Sequence, residues 1–333
     1  LSQLHANRAT RHSSLIYIAG PARSSSAARA LDLGACEVIS GEPELDELAV
    51  RLRRQVARKR RRDRLRAGMR DSLRAAITAT AAPGELRPAA IIAVDLFGQP
   101  ADYTAINALA GEHDLFVLAD AAQSFGASYH NRPVGGLTEV TATSFYPAKP
   151  LGCYGDGGAI FTDDDELAEK FRWIRVHGQE RKHHHPVLGV NGRLDTIQAA
   201  ALLATFELFP EEVNQRQAIG DRYSSLISKM DGLGVTVPSI AEGSTSVYAQ
   251  YTILSEDRDS LQALLKDSGV PSVAYYTVPL HLQPVFSNLG YKHGHFPVTE
   301  KIADQCLSLP MSAYLPDADQ ERVVQVLGGA NSS

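Results

Sequence analysis

Residues 89–123 read AAIIAVDLFGQPADYTAINALAGEHDLFVLADAAQ, and this stretch decides the fold. It opens on a continuous apolar run with the length of a buried strand. Residues 102–113 then carry apolar side chains at helical spacing, and 115–119 (LFVLA) read as a second strand. Strand, helix and strand in this order make a βαβ unit, which sets its strands parallel and brings their carboxyl ends to one edge. Downstream, 141–146 and 158–162 read as two more strands, joined by a Gly- and Pro-rich segment. An acidic start at Asp164 leads into a helix over 166–176. The sequence therefore predicts an α/β domain with a mainly parallel sheet.

Further along, 194–209 is unusually apolar and is followed by a more polar helical segment over 211–230. A helix as apolar as the first must be covered by the core or by another subunit. After Gly232 the texture changes: 247–254, a helix over 259–267, the segment 272–278 and a last helix over 317–327 predict a small α+β domain. The expected organisation is an atypical, partly degenerate N-terminal region (1–75), a large domain (76–232) and a small C-terminal domain (233–333).

The chain has 333 residues, 44% of them apolar, enough for a substantial core. Its longest apolar stretches fall far short of the roughly 18 to 20 residues that span a bilayer, and residues 1–11 are polar and basic without an apolar signal core. The expectation is a cytoplasmic protein without a membrane segment. Cys36, Cys153 and Cys306 are too scattered for a disulfide framework or a zinc site and read as reduced thiols. Net charge is −5, yet twelve basic residues fall within 51–74. A nucleic-acid-binding arm and a solvated helix face are both open readings of that run.

Two features carry chemistry. Asp120-Ala121-Ala122-Gln123 sits at the carboxyl end of a strand, where open α/β sheets place ligand-contacting groups; the plain alternative is an acid capping a turn. Lys149 lies between Pro147 and Pro150 on a stiff loop, with Gly152, Gly155, Gly157 and Gly158 behind it, where backbone can approach a flat ligand. Alone, such a lysine reads as a surface charge. Pyridoxal 5'-phosphate (PLP) chemistry needs a lysine for covalent attachment and a carboxylate that keeps the pyridine nitrogen protonated, and Lys149 and Asp120 are that pair of types on consecutive strand ends.

From about Ile91 onward the chain resembles the DegT/DnrJ/StrS family of PLP-dependent sugar aminotransferases. The resemblance rests on Asp120 to Gln123, on Ser144-Phe145 with Lys149, on Gly155-Asp156-Gly157-Gly158-Ala159, on Asn191 and Arg193 with Gln198-Ala199-Ala200, and on Pro279-Leu280-His281-Leu282-Gln283-Pro284. It implies the aspartate aminotransferase-like fold, fold type I, with PLP as cofactor. It implies Asp120 on the ring nitrogen, Ala122 and Gln123 against the ring, Ser144 on the phosphate, and Lys149 as both anchor and proton carrier. Asn191 would reach the phosphate of a partner subunit, so a homodimer is implied. A nucleotide-linked keto-sugar would be the substrate, and the texture of 154–162, 175–190 and 247–251 implies a UDP-linked 3-keto sugar, with glutamate as donor, in surface-polysaccharide synthesis. Arg193, His185, Tyr276 and His281 are the candidate substrate contacts.

Other clusters have plainer readings. Three consecutive histidines, His183 to His185, cannot all face one metal ion and read as a loop lining the sugar-nucleotide groove. Asp163, Asp164 and Asp165 read as a helix start favoured by the macrodipole. Tyr275-Tyr276 reads first as small-domain packing, with substrate contact as the alternative. Between the segment Tyr17 to Pro21 and the strand at Ile91 the family's phosphate-binding turn and ring-stacking aromatic are not recognisable, and that interval is shorter than in the family. Rearranged coding sequence, a decayed inactive paralogue and a new basic arm are the three readings of that departure.

Overall fold

The computed structural model describes residues 88–230 and 232–329. Within 1–87 it describes the backbone of two strands together with Ala67, Gly68, Asp71 and Arg74. The chain divides into two compact units, Leu1–Pro88 and Ala89–Ser333. In the first, β1 (Ile16–Ala19) pairs in parallel with β2 (Glu37–Ser40), Ile16 opposite Glu37. Cys36, the turn region after Ser40 and all but four residues of the basic run lie outside the described residues.

The second unit opens with β3 (Ala90–Val94), α1 (Tyr103–His113) and β4 (Phe116–Asp120), the βαβ unit the sequence predicts. Asp102 caps α1 by accepting the Ala105 N–H through its carboxylate at 3.2 Å, and Asp114 ends the helix in the left-handed region, φ 52°. The helix buries Ile106, Leu109 and Ala110 over β3 and β4, whose Val117 and Ala119 are almost fully enclosed. Burying one such leucine contributes roughly 1.5–3 kcal/mol.

After the short hairpin of β5 (Ser128–Tyr129) and β6 (Arg132–Pro133), β7 (Val140–Ser144) joins β4 in parallel. The antiparallel strand β8 (Gly158–Phe161) closes the edge, giving the order β3-β4-β7-β8. Helix α2 (Asp165–Ile174) follows, and Asp164 caps it by accepting the Leu167 N–H at 3.0 Å, as the macrodipole reading of the three acids expects.

The sequence suggests two helical segments around Pro210; the structure has one, α3 (Thr196–Ser228), 33 residues long with Pro210 inside. A proline removes one backbone hydrogen bond and normally kinks or ends a helix. Here Phe209 is buried directly before the proline and Val213, Ile219, Tyr223 and Ile227 after it, so tertiary packing across the proline favours continuity. The last three of these enter a core cluster with Tyr251, Ile253, Leu265, Leu307 and Leu327.

That cluster belongs to a three-stranded antiparallel sheet of β9 (Val235–Thr236), β10 (Tyr251–Ser255) and β11 (Cys306–Leu309). It is flanked by α4 (Arg258–Asp267), α5 (Pro297–Gln305) and α6 (Asp317–Gly329). Two expected elements change. Residues 247–250 are not strand, because Tyr248 has φ 42° and the segment hydrogen-bonds instead to the loop after β3. Of 272–278 only Val273 pairs with the sheet, exchanging two bonds with Ser308. Cys153 and Cys306 are free and buried, and no helix among the described residues is long and apolar enough to cross a membrane.

Glu300 on α5 ties down the loop before it. Its carboxylate, 5% exposed, accepts the N–H groups of Gly294 and Phe296 and lies 2.9 Å from His281 Nε2 and 3.0 Å from His293 Nδ1. Burial alone would push its pKa up, but those backbone donors, His281 and His293 outweigh it and hold the pKa below the usual 4.5. A carboxyl depressed by folding stabilises the fold above its unfolded value and loses that contribution as pH falls through its folded value. Glu300→Gln is therefore expected to melt below wild type at pH 7, and the gap should close as melting is repeated below pH 4.5; a gap constant with pH would contradict this.

Candidate active site

The carboxyl ends of β3, β4 and β7 lie side by side because the three strands are parallel and in register. Val94 pairs with Asp120, and Asp120 pairs with Ala142. Backbone bonds carry the alignment past the strands: Asp95 N donates to Asp120 O at 3.0 Å, and Ala121 N donates to Ala142 O at 2.8 Å. Three chain reversals thus leave the same edge of the sheet, the position where open α/β sheets bind ligands.

On the first reversal Asp95 is fully buried. Its Oδ1 accepts from Ala101 N at 2.8 Å and Tyr103 Oη at 2.7 Å, and its Oδ2 accepts from Ser124 Oγ at 2.6 Å. Burial pushes this carboxyl up, the three donors pull it partly back, and the nearby Asp120 charge pushes it up again. Burial, and then the charge of Asp95, raise Tyr103 as well, so its hydroxyl keeps its proton and remains a donor.

On the second reversal Asp120 is half-buried, and its Oδ1 accepts the Ala122 N–H at 3.1 Å. Oδ2 is left without a hydrogen-bond partner among the described residues. Gln123, 7% exposed, takes the Phe97 N–H on its Oε1 at 2.5 Å. An N–H can only meet an acceptor, so this contact fixes the amide's orientation and leaves its NH₂ as the group a ligand would meet.

The third reversal carries Ser144 and Lys149. Ser144 Oγ accepts the Tyr146 N–H at 3.2 Å, which leaves its own proton to donate. Phe145 N donates to Gly157 O and Cys153 N to Phe145 O, both at 2.8 Å, while Phe145, Pro150 and Leu151 are buried. At Gly158 any Cβ would stand 2.7 Å from Thr143 O, so only glycine fits against β7. The loop is thereby pinned on both sides of Lys149, whose N–H donates to Tyr146 O at 2.8 Å. Its ammonium has no hydrogen bond or ion pair among the described residues.

The remaining predicted residues form two further groups. Asn191 bridges to Val176 and is exposed, Arg193 Nη1 stands 3.5 Å from His177 Nε2, and His185 Nδ1 is 3.0 Å from His177 O, so these three share one loop region. Tyr276 is 57% exposed beside Tyr275, and His281 is held by Glu300. Sequence reading missed Asp95, although an acid ending an apolar strand is the same signal that marks Asp120. It also passed over Gln198 as a structural tie: its Oε1 accepts the Tyr154 N–H at 2.8 Å and so links the start of α3 to the loop behind Lys149.

A lysine with no partner among the described residues and a half-engaged acid at adjacent strand ends match a fold type I aminotransferase scaffold. Relatives agree. The sequence profile of the DegT/DnrJ/EryC1/StrS aminotransferase family matches residues 69–328. The chain is 50% identical over 232 residues to the UDP-2-acetamido-2-deoxy-3-oxo-D-glucuronate aminotransferase of Pseudomonas aeruginosa, covering 70% of this chain and 63% of that protein. It is 49% identical over 236 residues to a pleiotropic regulatory protein of Geobacillus stearothermophilus, covering 71% and 63%. The crystal structure of DesV from Streptomyces venezuelae, in complex with a ketimine intermediate, superposes with TM-score 0.72 at 31% identity, covering 96% of this chain and 79% of that one. This chain belongs to the DegT/DnrJ/EryC1/StrS aminotransferase family. It spans 63% of the length of the first two relatives, and residues 1–68 lie outside the family profile.

The Gln123 geometry gives a direct test. Gln123→Glu keeps an acceptor for Phe97 N–H and deletes the outward donor. Its melting temperature should stay within a few degrees of wild type, while its affinity for PLP, followed by absorbance titration, should fall by about tenfold.

Proposed function

We propose that this chain is a PLP-dependent aminotransferase that converts a nucleotide-linked keto-sugar into an amino-sugar. The observation that carries the reading is the placement of Lys149 and Asp120 after adjacent parallel strands, the lysine and one carboxylate oxygen without partners among the described residues. The residues fit the coenzyme: Asp120 Oδ2 would hold the proton on the ring nitrogen, the Gln123 NH₂ would donate to the ring oxygen, Ala122 would lie against the ring and Ser144 Oγ would donate to the phosphate. When bound, PLP supplies the electron-accepting ring that stabilises charge on the carbon from which a proton has left.

Lys149 Nζ would hold the coenzyme covalently at rest. When free, Nζ would take the proton from the donor's α-carbon and later give a proton back, as general base and then acid. Its pinned loop would limit how far Nζ has to travel between the two steps, and no arginine could serve, since the guanidinium does not give up its proton.

For the substrate we propose a UDP-linked 3-keto sugar with glutamate as donor, in surface-polysaccharide synthesis in the cytoplasm. The 50% identity to an enzyme named for a UDP-linked 3-oxo sugar supports this. Arg193 and His185 are proposed to meet the diphosphate or a carboxylate, with Tyr276 and His281 lining the sugar side. A homodimer is proposed because Ile197, Leu203, Phe206 and Leu208 on α3 and Leu188 on the preceding loop stand exposed, more than a single chain keeps in water. Asn191 lies close in sequence to that surface and would reach the partner's phosphate. The boundary between large and small domains is proposed near residue 232.

An inactive paralogue is the second reading, favoured by the departure of residues 41–75 from the family pattern. One experiment separates the two. Protein mixed with PLP and reduced with borohydride should yield a labelled peptide containing Lys149. Lys149→Ala should lose both the label and, by on the order of a thousandfold or more, amino transfer. A wild-type protein that stays colourless and unlabelled would establish the inactive paralogue.

A further inference from the structure

Asp95 is a fully buried acid that the chemistry proposed above does not use, yet it stands one strand from Asp120 and bonds to both loops around it. One oxygen takes Ala101 N–H and the Tyr103 hydroxyl, gathering the end of the loop after β3; the other takes the Ser124 hydroxyl, gathering the turn that follows Asp120. Between the two anchors lies Phe97, a non-glycine residue at φ 63°, ψ 3°. Side chains rarely adopt that conformation, and it persists where the surroundings over-determine it. Gly98 follows at φ 110°, so tightly set against the 247–249 segment that a Cβ would lie 2.8 Å from the Tyr248 and Ala249 nitrogens. The outcome of this conformation is specific: Phe97 N–H points at Gln123 Oε1.

We infer that Asp95 is a positioning residue, a clamp that holds the loop over 96–102 against the turn over 121–124 and thereby fixes the orientation of the Gln123 amide and the height of Asp120 in the crevice. The inference rests on the proposed PLP site for its consequence, but not for the clamp itself. Asp95 acts through shape: it presents two acceptor oxygens in one plane to donors on two different loops. Asparagine can reproduce that arrangement, its Oδ1 accepting from Ala101 and Tyr103 while its NH₂ meets Ser124 Oγ; alanine cannot.

The test uses the full chain and two readouts, amide hydrogen exchange of the 95–103 segment without coenzyme, and PLP titration by visible absorbance. Asp95→Ala should speed exchange at Phe97 by about tenfold or more and weaken PLP binding by a similar factor. Asp95→Asn should restore both to within about threefold of wild type, the rescue that separates position from charge. Unchanged Phe97 protection in Asp95→Ala overturns the inference, and so does an Asp95→Asn as impaired as the alanine variant. Should Asp95→Ala fail to fold by circular dichroism, Ser124→Ala decides, since it deletes one hydroxyl of the clamp: faster exchange at Phe97 supports it and unchanged exchange overturns it. A wild-type protein that binds no PLP sinks the proposed function, and the exchange arms still decide the clamp.

Discussion

The site depends on the register of three parallel strands. With Val94 opposite Asp120 and Asp120 opposite Ala142, the chain leaves β3, β4 and β7 at one level, and a carboxylate, a second carboxylate and a hydroxyl arrive together. A slip of one residue would turn every side chain of a strand to the other face. It would carry Asp120 away from the crevice and bring Ala119, now almost fully enclosed, toward it. The apolar burial of Val117 and Ala119 under α1 resists that slip, so packing on one side of the sheet sets the placement of polar groups at its end.

Strand ends expose backbone donors and acceptors that no neighbouring strand satisfies, and each must be met by something. Here they are met by one another and by side chains. Asp95 N finds Asp120 O, Ala121 N finds Ala142 O, and Phe97 N finds Gln123. Burying Asp95 is unfavourable for a charge, which is why burial raises its pKa, and three donors offset that penalty. Among the described residues, Asp120 Oδ2, the Gln123 NH₂, the Ser144 proton and the Lys149 ammonium are left open at this edge.

Much of this was legible in the sequence because the decisive signals are local. Apolar runs of strand length, the helical spacing over 102–113 and Asp120 at the end of its strand marked β3, α1, β4 and the edge where the proposed site lies. The reading failed where a distant contact overrides local preference. Pro210 suggested a break, but Phe209 and Val213, buried just before and just after it, keep α3 continuous. Residues 247–250 alternate like a strand, yet Tyr248 at φ 42° turns them onto the loop after β3, a partner about 150 residues away in the chain. α5 was overlooked although Pro297 at its start is a helix signal, since the polar run before it reads as loop. Asp95 was passed over because nothing local distinguishes a buried clamp from a turn-capping acid. Its donors at Ala101, Tyr103 and Ser124 converge only in three dimensions.

The division of labour between strand and loop suits what each group would have to do in the proposed chemistry. An acid that holds a proton on a ring nitrogen works best if it does not move, and Asp120 belongs to a central strand with its backbone bonded on both sides. A lysine that is anchored, released and then shuttles a proton must swing, and four methylenes on a loop allow it. The loop cannot be slack, however, because a proton carrier is useful only within hydrogen-bond reach of two carbons in turn. Buried Phe145, Pro150 and Leu151 on either side of an ammonium with no partner among the described residues suit both needs: the backbone is held by apolar packing while the side chain is not tied to them. An ion pair at Lys149 would have to be separated before each release in the proposed chemistry, and none is formed among the described residues.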